Sequence, residues 1–209
     1  MKAMRKLLYV IGAVFTVRLV LLGCAPVIGV PSARPISAGG SELALGGGLV
    51  AGEIEGQYPR SPSPVAHAYY RRNLNPVELG AVFNLNIWEE GFGAGFFTRV
   101  NICELASSPS PVTCGFKLDV GLVYAGFSLP VAISVLEDVW ITTQPAISQS
   151  TESDPYIRLP IGISMLLKDT YVMDATCGQL LEINNRKGVL ETSPLTWYCG
   201  GSVGLVFGD

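Results

Sequence analysis

The chain has 209 residues, enough for one domain with a sizeable core. Charged residues make up 15% of it, against about 25% in ordinary soluble domains, and 24 glycines accompany that low charge. A formal net charge of −3 with no basic stripe speaks against nucleic acid as a partner, because nothing would displace phosphate counterions. Arg71-Arg72 and Arg186-Lys187 are isolated doublets and read as solvated loop or rim charges.

In chain order, the first predicted element is a leader. Lys2, Arg5 and Lys6 form a basic stretch, Leu7 to Val17 an apolar one, and Leu21-Leu22-Gly23-Cys24 follows. This arrangement resembles the lipobox signal peptide of bacterial lipoproteins. The resemblance implies a signal peptide over 1–23, cleavage before Cys24 and lipidation of the Cys24 thiol. Ala25, in a position where Asp would imply retention at the inner membrane, is compatible with outer-membrane sorting. Residues 24–40 are rich in Pro, Ala, Ser and Gly and are expected to be a flexible tether, leaving 41–209 as the folded domain.

Export places the remaining cysteines in an oxidising compartment. With Cys24 assigned to lipid, Cys103, Cys114, Cys177 and Cys199 remain, and four cysteines allow three pairings. Nearest-in-sequence pairing, Cys103–Cys114 and Cys177–Cys199, would staple single hairpins. The second is supported by Asn184-Asn185-Arg186-Lys187-Gly188, a turn-rich stretch midway between its cysteines. One His and no C-x-x-C spacing give no metal site, and no cofactor motif is present.

Beyond the tether, period-2 patterning dominates. Strands are predicted near 42–52, 65–73, 77–87, 91–103, 114–125, 129–136, 139–149, 155–166, 170–182 and 195–207, with an eight-strand alternative that merges 114–136 and drops 65–73. Leu79, Ala81, Phe83 and Leu85 share one face against Glu78, Gly80, Val82 and Asn84. Phe92, Ala94, Phe96, Val100 and Ile102 oppose Gly95, Phe97, Arg99 and Asn101. Phe116, Leu118, Val120, Leu122 and Tyr124 oppose Lys117, Asp119 and Gly121; Leu159, Ile161 and Ile163 oppose Arg158, Pro160 and Ser164. At the end, Trp197, Val203, Leu205 and Phe207 oppose Tyr198, Ser202 and Gly204. In these segments every charge falls on the second face. Leu129-Pro130-Val131-Ala132-Ile133-Ser134 is echoed by Leu159-Pro160-Ile161-Gly162-Ile163-Ser164, each followed by a tight turn at Glu137-Asp138 or Lys168-Asp169.

A solvated second face should be rich in Lys, Glu, Asp and Arg. Here it is mostly Gly, Ala, Ser, Thr and Asn, which suits the crowded interior of a narrow barrel. Trp88, Phe92, Tyr124, Phe127, Trp140, Tyr156, Tyr171 and Trp197 fall near predicted strand ends, where interfacial girdles sit. Strands of about ten residues fit a tilted bilayer crossing. The fold expected is an antiparallel up-and-down β-barrel of about ten strands, embedded in a membrane.

With that pattern, and with hairpin phrases such as Tyr70-Arg71-Arg72-Asn73-Leu74-Asn75-Pro76-Val77-Glu78-Leu79-Gly80 and Leu159-Pro160-Ile161-Gly162-Ile163, the chain resembles the small outer-membrane β-barrel proteins of Gram-negative bacteria. The resemblance implies an outer-membrane location and lipid as the principal partner. Enzymes among such barrels use a His base beside a Ser nucleophile, or paired acids. The single His67 is followed by Ala68-Tyr69, with no His-x-Ser pair, and Glu89-Glu90 reads as a polar turn. No enzyme is expected.

Arg99, Lys117, Asp119, Arg158 and Asp174 fall on the inward face, where charges must be paired or hydrated. They read as a salt-bridged plug, or else as the lining of a small channel. Loops near 53–64, 150–154 and 183–194 are candidate sites for a protein partner. The functional expectation is a structural or interaction barrel with no reaction of its own. The alternatives are a narrow pore, and a soluble periplasmic lipoprotein that turns its apolar face inward around an apolar ligand.

Overall fold

The computed structural model describes residues 32–51, 62–86, 91–103, 112–121, 124–150, 155–184, 191–192 and 196–208. The lipobox, Trp88 and Glu89-Glu90 lie outside them. The strand segments are β1 (Ser41–Ala51), β2 (Ser63–Asn73), β3 (Val77–Asn86), β4 (Gly91–Asn101) and β5 (Val112–Gly121), then β6 (Tyr124–Ser128), β7 (Val131–Leu136), β8 (Val139–Thr143) and β9 (Ala146–Ser150). They are followed by β10 (Tyr156–Leu167), β11 (Tyr171–Asn184), β12 (Glu191–Thr192) and β13 (Thr196–Phe207).

These segments make ten staves of a closed antiparallel barrel. β6 and β7 both pair with β5, β8 and β9 both pair with β10, and β12 and β13 both pair with β11, so each couple is one stave. The barrel closes where β1 meets β13, from Ser41↔Phe207 to Ala51↔Trp197. Two of the interruptions are prolines. Pro130 and Pro145 have no N–H to give the ladder, so the regular pairing stops there. Their carbonyls still accept, from Gly115 N at 3.0 Å and Leu129 N at 2.9 Å respectively. Side-chain alternation also runs through Pro130: Ser128 is buried, Leu129 exposed, Ala132 buried and Ile133 exposed.

That continuity corrects two predicted strands. The chain reverses between β5 and β6, where Val120 pairs with Ala125, rather than before Leu129. Extending the 115–124 alternation across this turn placed Tyr124 on the outer face; the ring is in fact buried inside. The eight-strand alternative is overturned, because β2 is a full stave between β1 and β3.

Turn chemistry matches the hairpins. Lys168 and Asp169 adopt φ of 54° and 55°, and Thr170 N donates to Leu167 O at 3.2 Å. Two successive left-handed residues are what a type I′ turn needs to follow the strand twist. Cys103–Cys114 spans the β4–β5 connection, and Cys177–Cys199 joins directly opposed residues of β11 and β13 on the outer face.

The polar face is inside and the apolar face outside. Phe96 is 75% exposed and Ile161 65%, while their strand neighbours Phe97 and Pro160 are buried. The reading in which the apolar face encloses a ligand is therefore corrected: the apolar residues point away from the lumen. Of the proposed girdle, Phe127, Tyr171 and Trp197 are exposed on the outside, whereas Tyr124 is buried inside and Trp140 stands against a luminal arginine.

Candidate functional site in the barrel lumen

A narrow barrel leaves room inside for side chains and little else. Its interior is filled by two devices. In the first, an aromatic ring lies over a glycine of the neighbouring stave. A Cβ built on Gly80 would strike the Phe97 ring, one on Gly121 the Tyr124 ring, one on Gly178 the Tyr198 hydroxyl, and one on Gly46 the His67 imidazole. Glycine on one stave is thus the space that the ring of the next one occupies.

The second device is ionic, and it begins before the first strand. Residues 32–36, part of the expected flexible tether, are packed within the barrel: Ala33, Arg34 and Ile36 are buried, while Ser37 and Ala38 are exposed. Arg71 Nη1 donates to the carbonyls of Ser32 at 2.8 Å and Arg34 at 3.0 Å, and Asn73 Nδ2 donates to Ile36 O at 2.7 Å. Gly39 N and Asn73 O pair at 2.9 Å. The segment lacks periodicity because its carbonyls are satisfied by side chains of the barrel wall rather than by a ladder.

Arg34 ion-pairs with Glu42 and sits with its guanidinium carbon 5.6 Å from the centre of the Trp140 ring. Glu42 also accepts from Arg71 at 2.9 Å and from the Tyr69 hydroxyl at 2.5 Å. Arg71 reaches on to Glu78 at 3.4 Å; Glu78 accepts from Asn101 Nδ2 at 3.2 Å and lies 3.7 Å from Arg99. All of these charges are buried. The result is a continuous chain of opposite charges across β1, β2, β3 and β4, tied to the inserted segment.

Among the inward charges named from the sequence, Arg99 thus joins this chain. Lys117 and Asp119 pair with each other at 2.7 Å on β5, with the Lys117 ammonium 4.4 Å from the centre of the Phe97 ring. Arg158 is buried on β10. Asp174 on β11 accepts hydroxyl hydrogen bonds from Tyr69 at 3.1 Å and Ser202 at 3.2 Å.

Sequence reasoning placed Glu78 on the second face without naming it among the inward charges, and missed Arg34, Glu42 and Arg71. Arg71 had been read with Arg72 as a solvated doublet. Adjacent strand residues face opposite ways, so Arg72 is exposed outside and Arg71 fully buried inside. Parity carried that signal, as it did for Glu42 beside Leu43 and Glu78 beside Leu79. For Arg34 no signal existed, since it lies in no strand.

A small recess opens in the lumen wall, lined by Gly48, His67, Asp174, Thr176, Tyr198, Gly200, Gly201 and Ser202. It contains a Ser, a His and an Asp, but Ser202 donates to Asp174 itself rather than to His67. A relay needs the imidazole between them, so this is not the arrangement of a nucleophilic serine. Among the described residues no group of three or more His, Cys, Asp or Glu could hold a metal ion.

No protein-family profile matches the chain, and no curated protein sequence matches it. Solved structures do. An outer membrane channel from Pseudomonas putida F1 superposes with a TM-score of 0.52 at 9% identity, covering 86% of this chain and 100% of that one. Ail, the attachment invasion locus protein of Yersinia pestis, is similar over 81% of this chain and 99% of its own, at 14% identity and a TM-score of 0.41. Neisserial surface protein A gives 0.40 at 9% identity, over 81% of this chain and 99% of its own. At these identities the likeness to the channel establishes a shared barrel fold.

Proposed function

We propose that the protein is an outer-membrane β-barrel lipoprotein with a closed lumen, acting as a scaffold or interaction platform and catalysing no reaction. The observation that carries this reading is the insertion of residues 32–36 into the barrel, bound to Arg71 and Asn73 and ion-paired through Arg34 to Glu42. A solute pore requires a continuous polar conduit, and this segment stands in its path. The apolar exterior supports a bilayer location, since in hydrocarbon only a closed barrel or a helix leaves no backbone group unpaired. Lipid on Cys24 is supported by the leader, and would add a second hold on the membrane.

The loops near 53–64, 150–154 and 183–194 are the candidate surface for a protein partner. Planar-bilayer recording on the purified full-length protein tests the closed lumen. No stepwise conductance is expected from wild type, and stable steps would establish the pore instead. Intact mass of the same sample is expected to show a diacylglyceryl modification beginning at Cys24; a mature chain without lipid would remove the anchor.

A further inference from the structure

Residues 32–36 are held at one mouth of the barrel in the way that a peptide ligand is held. Glu42 and Glu78 are each the second residue of their strand, and Arg71 and Asn73 fall at the end of β2, so the wall groups that grip the segment stand at the strand ends. Arg71 Nη1 spans the carbonyls of Ser32 and Arg34, and Asn73 takes that of Ile36. Reading backbone carbonyls in this way is indifferent to sequence. Arg34 supplies the selective part: it ion-pairs with Glu42 and stands over Trp140 of β8, across the lumen from β2. The segment also shapes itself for that contact. Ser32 Oγ accepts from Arg34 N at 3.1 Å, and Arg34 Nη1 donates to Pro35 O at 3.0 Å.

Withdrawing the segment strands no charge in the wall. Glu42 keeps Arg71 and the Tyr69 hydroxyl, Arg71 keeps Glu42 and Glu78, and Glu78 keeps Arg99 and Asn101. Two carboxylates and two guanidiniums stay matched, and Arg34 is the cation that the segment brings with it. The joint to β1 is Ser37-Ala38-Gly39-Gly40, in which Ser37 and Ala38 are exposed and the two glycines change backbone angles at little steric cost.

We propose that this mouth of the lumen is a binding site for an arginine-bearing peptide segment of another protein, of the form Ser-x-Arg-Pro, which residues 32–36 occupy in cis as a tethered competitor. The proposal rests on the interaction reading above and names the class of partner. A short tether gives the segment an effective concentration on the order of millimolar, so a free peptide meets a site already filled. Arginine is preferred to lysine because a planar guanidinium pairs with the carboxylate and stacks on an aromatic ring at once.

The test is fluorescence anisotropy of a dye-labelled, end-capped Ser-Ala-Arg-Pro-Ile peptide with the full-length barrel in a non-ionic maltoside. Wild type is expected to bind weakly, because its own segment competes. Arg34→Glu sets a second carboxylate against Glu42 and leaves the wall unchanged. It is expected to bind the peptide at least about tenfold more tightly than wild type, and unlabelled peptide should displace the label. A peptide with Ala in place of its arginine should bind this variant at least about tenfold less tightly. Adding Trp140→Leu should weaken binding roughly fivefold, the loss of one cation–π contact. If Arg34→Glu does not fold, Arg34→Ala carries the same comparison with a smaller gain. The proposal is overturned if no folded Arg34 variant binds more tightly than wild type, or if the alanine peptide binds as well. Bilayer recording judges the closed lumen separately: a silent wild type without peptide binding removes this site and leaves the scaffold standing.

Discussion

Glu42 receives Arg34, Arg71 and the Tyr69 hydroxyl at once, with its carboxylate fully buried. Removing one partner of a buried ion pair leaves the other charge without compensation, which costs about 3–5 kcal/mol. Here two guanidiniums would be stranded. Glu42→Ala is therefore expected to destabilise the barrel by at least that amount, measured as the shift in urea midpoint of the detergent-folded protein at unchanged slope. A loss under about 1 kcal/mol would mean that water reaches the site and screens it. Residue-scale features of this kind were the least legible in the sequence. Arg34 belongs to a Pro-, Ser- and Gly-rich stretch with no period, so nothing local distinguishes a packed arginine from a solvated one. Trp140 looked like a girdle residue by its place near a strand end, but its parity with Thr142 and Gln144 turns it inward, against Arg34.

Strands were more readable than residues because a stave repeats its instruction every second position. Leu79, Phe83 and Leu85 on β3, or Leu159, Ile161 and Ile163 on β10, announce the outer face several times over, and all are exposed. Where the repeat crosses a turn, the instruction inverts without warning. The β5–β6 reversal carries one marker, Gly121, among Leu122, Val123 and Tyr124, which suit a strand as well as a turn, so the alternation carries Tyr124 onto the wrong face. Conversely, Pro130, beside the predicted strand start at 129, is internal to its stave, as Pro145 is within the predicted strand 139–149. Once Tyr124 is inside, Gly121 acquires a purpose. The three nearest atoms that a Cβ at Gly121 would meet all belong to the Tyr124 ring, each closer than real Cβ contacts allow. Gly121→Ala should cost about 1–3 kcal/mol through overpacking. In a Tyr124→Leu background the same change should cost under about 0.5 kcal/mol, so a double-mutant cycle should show coupling. Additive costs would place the strain in the backbone rather than against the ring.

At the scale of the whole molecule, the barrel is a protein turned inside out: charges form its core and leucines, isoleucines and phenylalanines its surface. Such a surface would drive aggregation in water, since monomeric soluble proteins seldom expose large contiguous apolar patches. In a bilayer the same surface is solvated by hydrocarbon, and the cost of a misplaced charge depends on depth. That dependence provides a direct test. Ile161 lies in the middle of β10 and is 65% exposed; Leu136 is 68% exposed but ends β7 beside the Glu137-Asp138 turn. Two equally exposed apolar residues thus differ mainly in their distance from the strand end. If the apolar belt meets lipid, Ile161→Lys should destabilise the vesicle-inserted barrel by about 2–4 kcal/mol, and Leu136→Lys by about 0–1 kcal/mol, because a lysine near the interface reaches water. Reversible urea unfolding in phospholipid vesicles measures both. Transfer into detergent micelles, where water approaches all depths more closely, should narrow the gap between them. Equal small costs in vesicles would mean that water, not lipid, surrounds the belt, and the membrane assignment would fall with it.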